Sequence, residues 1–164
     1  MDMLDHGPEL MSDRRTEGTD RHTPKGHRPE HVLVGVDGSP SSRRALLWAL
    51  DHARPGDTIT LVHVWQPSAV MVDAGFAQAD DDRGPRSLVA RELARARQHE
   101  AAASIVIRGD VVRGEPRHVL AQLDADTIVV GADDSGLSRI FLGPVAAHLA
   151  RRPGCVIVVV PRSR

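Results

Sequence analysis

Five short runs rich in β-branched apolar residues recur along the chain, separated by stretches of helical periodicity. They are "HVLVGV" (31–36), "TITLVHVW" (58–65), "SIVIRGDVV" (104–112), "DTIVVGA" (126–132) and "CVIVVVP" (155–161). Most are continuously apolar rather than alternating, as a strand covered on both faces must be. After the first run Leu46, Ala49, Leu50 and Ala53 repeat at i, i+3, i+4 and i+7, which predicts a helix with one apolar stripe. Ser39 suits its N-cap and Pro40 its first position, and Pro55-Gly56-Asp57 ends it. Further helices are expected over 87–102 (Val89, Leu93, Ala96 inward), after Pro116 (Val119, Leu120, Leu123) and over 144–152 (Val145, His148, Leu149). Strictly alternating strands and helices specify an α/β fold, a five-stranded parallel open sheet with helices on both faces.

Right-handed crossovers can cover both faces only if the chain reverses direction along the sheet once. Ligands of such folds bind beyond the carboxyl ends of the strands at that reversal. If it lies between strands 1 and 4, "DGSPSS" (37–42) faces "GADDSGLSRIFLGPV" (131–145), and two glycine-bearing loops share one crevice.

Composition removes several chemistries. The 164 residues suit one domain, and the net charge of −1 comes without a basic tract, so neither nucleic acid nor an anionic membrane is an expected partner. No apolar run approaches the roughly 20 residues of a membrane span, and the first residues lack a signal-peptide core, so a cytoplasmic location is expected. Cys155 is the single cysteine, excluding an internal disulfide. Lys25 is the only lysine and lies in the polar N-terminal segment, so no P-loop lysine or Schiff-base lysine is available after residue 30. No G-x-S-x-G elbow occurs, and no metal-ligand set is assigned. The chain is therefore read as a non-enzyme. Residues 1–30 hold too little apolar surface to offset their ordering entropy and are read as a disordered tail, 31–161 as the domain, and 162–164 as a short C-terminal tail.

The segments "VLVGVDGSPSSRRALLWALDHA", "LVHVW", "VRGEPRHVL" and "DTIVVGA…GLSRIFLGPVAAHLARRPGCVIVVVP", taken in order, resemble the universal stress protein family over residues 31–161. The resemblance implies an adenine-nucleotide-binding-like fold with strand order 3-2-1-4-5, and dimers commonly paired through the last strand, here Val156 to Val160. Family members that bind ATP carry Gly, two residues, Gly, nine residues, then Gly and Ser or Thr. Gly131 and Gly143 match the first and third glycines, whereas Asp134 occupies the second, Pro144 replaces the hydroxyl residue, and the spacing is one residue short. By the same resemblance Asp37, with Gly38 behind it, meets the ribose or adenine end, Val64 and Val130 flank the base, and Val145 follows the phosphate loop. ATP or another adenine nucleotide is the cofactor so implied, with Mg²⁺ only alongside nucleotide.

Each residue also has a plainer reading. Asp-Gly is ordinary turn chemistry, and the acidic pair Asp133 and Asp134 can simply be solvated. His63 reads as a packed, hydrogen-bonded strand residue and Cys155 as a small core residue. Pro144 presents no N–H to a phosphate, and Asp134 adds like charge, so the site is expected to grip triphosphate weakly or not at all. The rival expectation is a dimeric interaction or scaffold protein of the same fold that uses no nucleotide; the sequence names no protein partner.

Overall fold

The computed structural model describes residues 27–67, 73, 75, 81–132, 143–151 and 153–161. Five strands, β1 (His31–Gly35), β2 (Thr58–Trp65), β3 (Val106–Arg113), β4 (Thr127–Gly131) and β5 (Val156–Val160), form one sheet in the order β3-β2-β1-β4-β5. All four neighbouring pairs are parallel. The reversal falls between β1 and β4, as the two-sided coverage requires. Helices α1 (Pro40–His52), α2 (Arg83–Ala96), α3 (Pro116–Gln122) and α4 (Gly143–Leu149) connect the strands, with a short 3₁₀ turn at Glu100–Ala103.

Adjacent residues of one strand serve different cores, which explains the continuous apolar runs. Val32, Val34, Ile59, Leu61 and Val129 pack under α1 and α2 with Ala45, Leu46, Ala49, Leu50 and Ala96. Leu33, Val62, Ile128 and Val130 pack on the opposite face under α3 and α4 with Leu120, Ala146 and Leu149. Cys155 is partly buried against this second core. The cap of α1 forms as its sequence dictates: the Ser39 hydroxyl accepts from the Ser42 N–H at 3.1 Å, and Pro40 stands at the start. The helix expected over 87–102 differs; α2 starts at Arg83 and stops at Ala96, and the 3₁₀ turn completes the segment.

Residues 27–30 are tied to the sheet, although the sequence reading groups them with the tail. His27 Nε2 lies 2.7 Å from Asp57 Oδ1, which also accepts from the Glu30 N–H at 2.9 Å. The Arg54 N–H donates to Asp57 Oδ2 at 2.8 Å. Asp57 is 3 % exposed, and burial pushes its pKa up, but these donors outweigh that and hold it below the usual carboxylate value. Residues 1–26 and 162–164 lie outside the described residues. Among the described residues no helix is long and apolar enough to cross a membrane.

Candidate functional site

At the carboxyl ends of β1 and β4 the sheet opens into a crevice of about 170 Å³ on the α3–α4 face. Asp37, Val64, Val130, Gly131 and Val145, five of the residues singled out from sequence, line it together. Val62, Val64, Leu120, Val130 and Val145 supply apolar walls, while Asp37, Ser41 and Ser42 supply the polar rim. The volume is below the roughly 300–1,000 Å³ of drug-sized sites, so the described walls suit one ring system rather than a whole nucleotide.

The rim is set by local chain chemistry. The Ser39 N–H donates to Asp37 Oδ1 at 2.9 Å, an Asx turn, and Gly38 passes at φ +81°, a conformation that favours glycine. The Asp37 N–H donates to Ser42 Oγ at 3.3 Å, and Ser42 Oγ donates to the Ser39 carbonyl at 3.1 Å. The hydroxyls of Ser39 and Ser41 are hydrogen-bonded at 2.9 Å. Partial desolvation raises the Asp37 pKa, but the hydrogen bonds from Ser39 and Ser42 prevail and hold the carboxyl below its usual range. A charged acceptor therefore stands at the crevice mouth at neutral pH. Behind it His63 Nδ1 donates to the Val36 carbonyl at 2.7 Å, which fits the structural reading of that histidine.

Gly131 shows why the two sides of the crevice stand so close. A Cβ there would lie 2.5 Å from both the carbonyl carbon and oxygen of Ser41, so only glycine lets the end of β4 pass under the start of α1. A Cβ at Gly38 would lie 3.3 Å from Leu88 Cδ1 and 3.4 Å from Arg91 Nη2 of α2, and Gly38 is not among the residues that line the crevice. On the phosphate side Gly143 opens α4 at φ +62°, again glycine's conformation, and Pro144 is exposed at the next position. Neither lines the apolar crevice. Asp134, with Asp133, Gly136 and Arg139, lies outside the described residues.

Ser41 and Ser42 reach the crevice from the loop 37–42 expected there, whereas Gly35, Val36, Val62, Pro116 and Leu120 also line it without a site signal in the sequence. Val62 and Leu120 carried only a core signal, because the same side chains seal the core and form the wall. His27 and His31 share the four-residue spacing of a metal pair, but they turn to different partners, Asp57 and Thr60. Among the described residues no group of three His, Cys, Asp or Glu side chains could hold a metal ion.

The sequence model of the universal stress protein family matches residues 29–161. A universal stress protein of Mycobacterium tuberculosis is 32% identical over 146 residues, covering 81% of this chain and 48% of that protein. The chain thus spans about half the length of that relative. A universal stress protein solved in complex with cAMP is 27% identical, with a TM-score of 0.56 over 82% of this chain and 98% of its own. A family protein from Arabidopsis thaliana solved with AMP bound is 20% identical, with a TM-score of 0.56 over 82% of this chain and 93% of its own, and shares the fold.

Proposed function

Since the chain belongs to the universal stress protein family, we propose that it is a stress-response binding module that takes an adenine nucleotide in the crevice between β1 and β4. One observation carries this reading: Asp37, Val64, Val130, Gly131 and Val145 line a single crevice at the reversal of the sheet. A base slides between the valines, and the Asp37 carboxylate accepts from a ribose hydroxyl or an exocyclic amine. The cAMP complex of a protein 27% identical to this one supports an adenine monophosphate as the ligand class.

Triphosphate is gripped weakly. Gly143 and the start of α4 offer the turn, but Pro144 offers neither N–H nor hydroxyl, and Asp134 brings like charge. Mg²⁺ enters only with nucleotide, to bridge those charges. The chain acts through binding rather than turnover, and two copies pair through β5.

A second reading is favoured by a specific observation: two of the site residues have structural duties without any ligand. Gly131 is required by Ser41, and Asp37 closes an Asx turn. On that reading the protein is a dimeric scaffold of the same fold. Calorimetric titration with AMP separates the two. Micromolar to millimolar binding, abolished by Val64→Arg in a protein that still folds, supports the nucleotide site. No heat with AMP, cAMP or ATP at millimolar ligand refutes it and leaves the scaffold.

A further inference from the structure

On the opposite face of the sheet from the crevice, α1 and α2 leave a groove of about 280 Å³. Its floor is apolar, formed by Leu46, Leu50 and Ala96, and Leu47 on its lip is 54% exposed. Glu92 is sunk into it at 1% exposure, and neither of its carboxylate oxygens accepts a hydrogen bond. Three guanidinium groups stand around it: Arg91 Nε at 3.5 Å, Arg43 Nε at 3.7 Å and Arg95 Nε at 3.9 Å. One carboxylate against three guanidiniums leaves an excess of two positive charges beside exposed leucine. At the lower end Asp51 is already paired with His99 at 3.0 Å. A groove of this kind suits a segment that is both acidic and apolar.

We propose that the groove is covered by residues 1–13 of this same chain. That segment, "MDMLDHGPELMSD", carries Asp2, Asp5, Glu9 and Asp13 and no lysine or arginine, interleaved with Met1, Met3, Leu4, Leu10 and Met11. Its carboxylates meet Arg43, Arg91 and Arg95, and its methionines and leucines cover Leu46, Leu47 and Leu50. The connection is long enough. His27 is fixed against Asp57 just beyond the C-terminal end of α1. The thirteen residues 14–26 span up to about 45 Å when extended. The helix they must follow, thirteen residues long, measures about 20 Å. Met and Leu side chains adapt to an irregular floor, and the ion pairs set which segment docks more than how tightly.

Hydrogen–deuterium exchange on the full chain tests the contact. At low salt the amides of residues 1–13 are expected to exchange about tenfold more slowly than in 1 M NaCl, the effect of a few exposed ion pairs acting together. Arg91→Glu/Arg95→Glu should abolish that protection, and adding Asp5→Arg/Glu9→Arg to it should restore it. Should the arginine variant fold poorly because Glu92 loses its partners, Leu47→Asp on the exposed lip serves in its place. Equal exchange of residues 1–13 in all variants and salts overturns the proposal. So does protection that rises with protein concentration, which would mean that a second copy covers the groove.

Discussion

Gly131 at the end of β4 runs directly beneath the backbone of Ser41 in the first turn of α1, with no room between them for a methyl group. The contact joins the last residue of the strand on one side of the sheet reversal to the first turn of the helix that follows the strand on the other side. Both residues line the crevice, one from each side of the reversal. A glycine that a family motif assigns to phosphate binding is thus equally a packing requirement of the fold itself.

Gly131→Ala is therefore expected to destabilise the protein before any ligand is considered. Its Cβ would meet backbone atoms at 2.5 Å, which cannot rotate away, so a cost of about 1–3 kcal/mol follows from overpacking. Gly35→Ala is the control, since its nearest contact is the Val130 side chain at 3.3 Å, and it should cost less. Urea denaturation of both variants without ligand checks the order. Equal stability of the two would remove the packing role from Gly131.

Asp57 gives a pH dependence with a defined sign. Its folded-state pKa lies below the ordinary value of 3.8, since burial is outweighed by donors from Glu30, Arg54 and His27. Such a group adds stability that is fully present above its unfolded pKa and is lost as pH falls through the folded value. Asp57→Asn should cost about 1–3 kcal/mol at pH 7, because an amide cannot accept from all three donors. The gap from the parent protein should close as pH drops below 3.8. Thermal unfolding at pH 7 and pH 3 measures it; a gap of constant size would show that the charge is not what the three donors stabilise.

Much of this was legible in the sequence, and the failures have physical causes. Runs such as "TITLVHVW" mark the strands because two-sided burial leaves no polar alternation to blur them. Ser39-Pro40 marks the start of α1 because capping is a local interaction. Glu92 is not legible as buried because one of the groups around it, Arg43, comes from a helix some fifty residues earlier, beside Arg91 and Arg95, one and three residues away on α2. Gly38 is legible as a turn glycine because Asp-Gly is local chemistry, whereas the closeness of α2 to it is set by packing between distant segments. His27 carries no local signal of order because its partner Asp57 lies thirty residues away.

The edge of the sheet carries the next expectation. Among the described strands β5 pairs only with β4, and Val156 on it is 60% exposed. An apolar edge of this kind is normally shielded, and pairing with its own copy gives a two-fold contact. Val156→Arg should preserve the fold, since the side chain already faces outward, and should convert a dimer into monomer in sedimentation velocity. A dimer unchanged by this substitution would place the interface elsewhere.

The start of α4, beside the crevice, offers the sharpest expectation. Pro144 at the second position of α4 removes one N–H that a helix start would otherwise give to a phosphate oxygen, and it brings no hydroxyl. A hydrogen bond to a charged group is worth about 1.5–3 kcal/mol, or about tenfold to a hundredfold in affinity. Asp134→Gly/Pro144→Ser restores a glycine, an N–H and a hydroxyl while leaving the apolar walls of Val64, Val130 and Val145 untouched. The double variant should bind ATP·Mg²⁺ at least about tenfold more tightly than the parent, with AMP affinity nearly unchanged, because the base and sugar contacts are common to both. Calorimetry with the two ligands reads both numbers from the same preparations. Micromolar ATP binding by the unmodified protein would show that the loop grips phosphate without the motif, and an equal gain for AMP would show that the substitutions act on the base pocket instead.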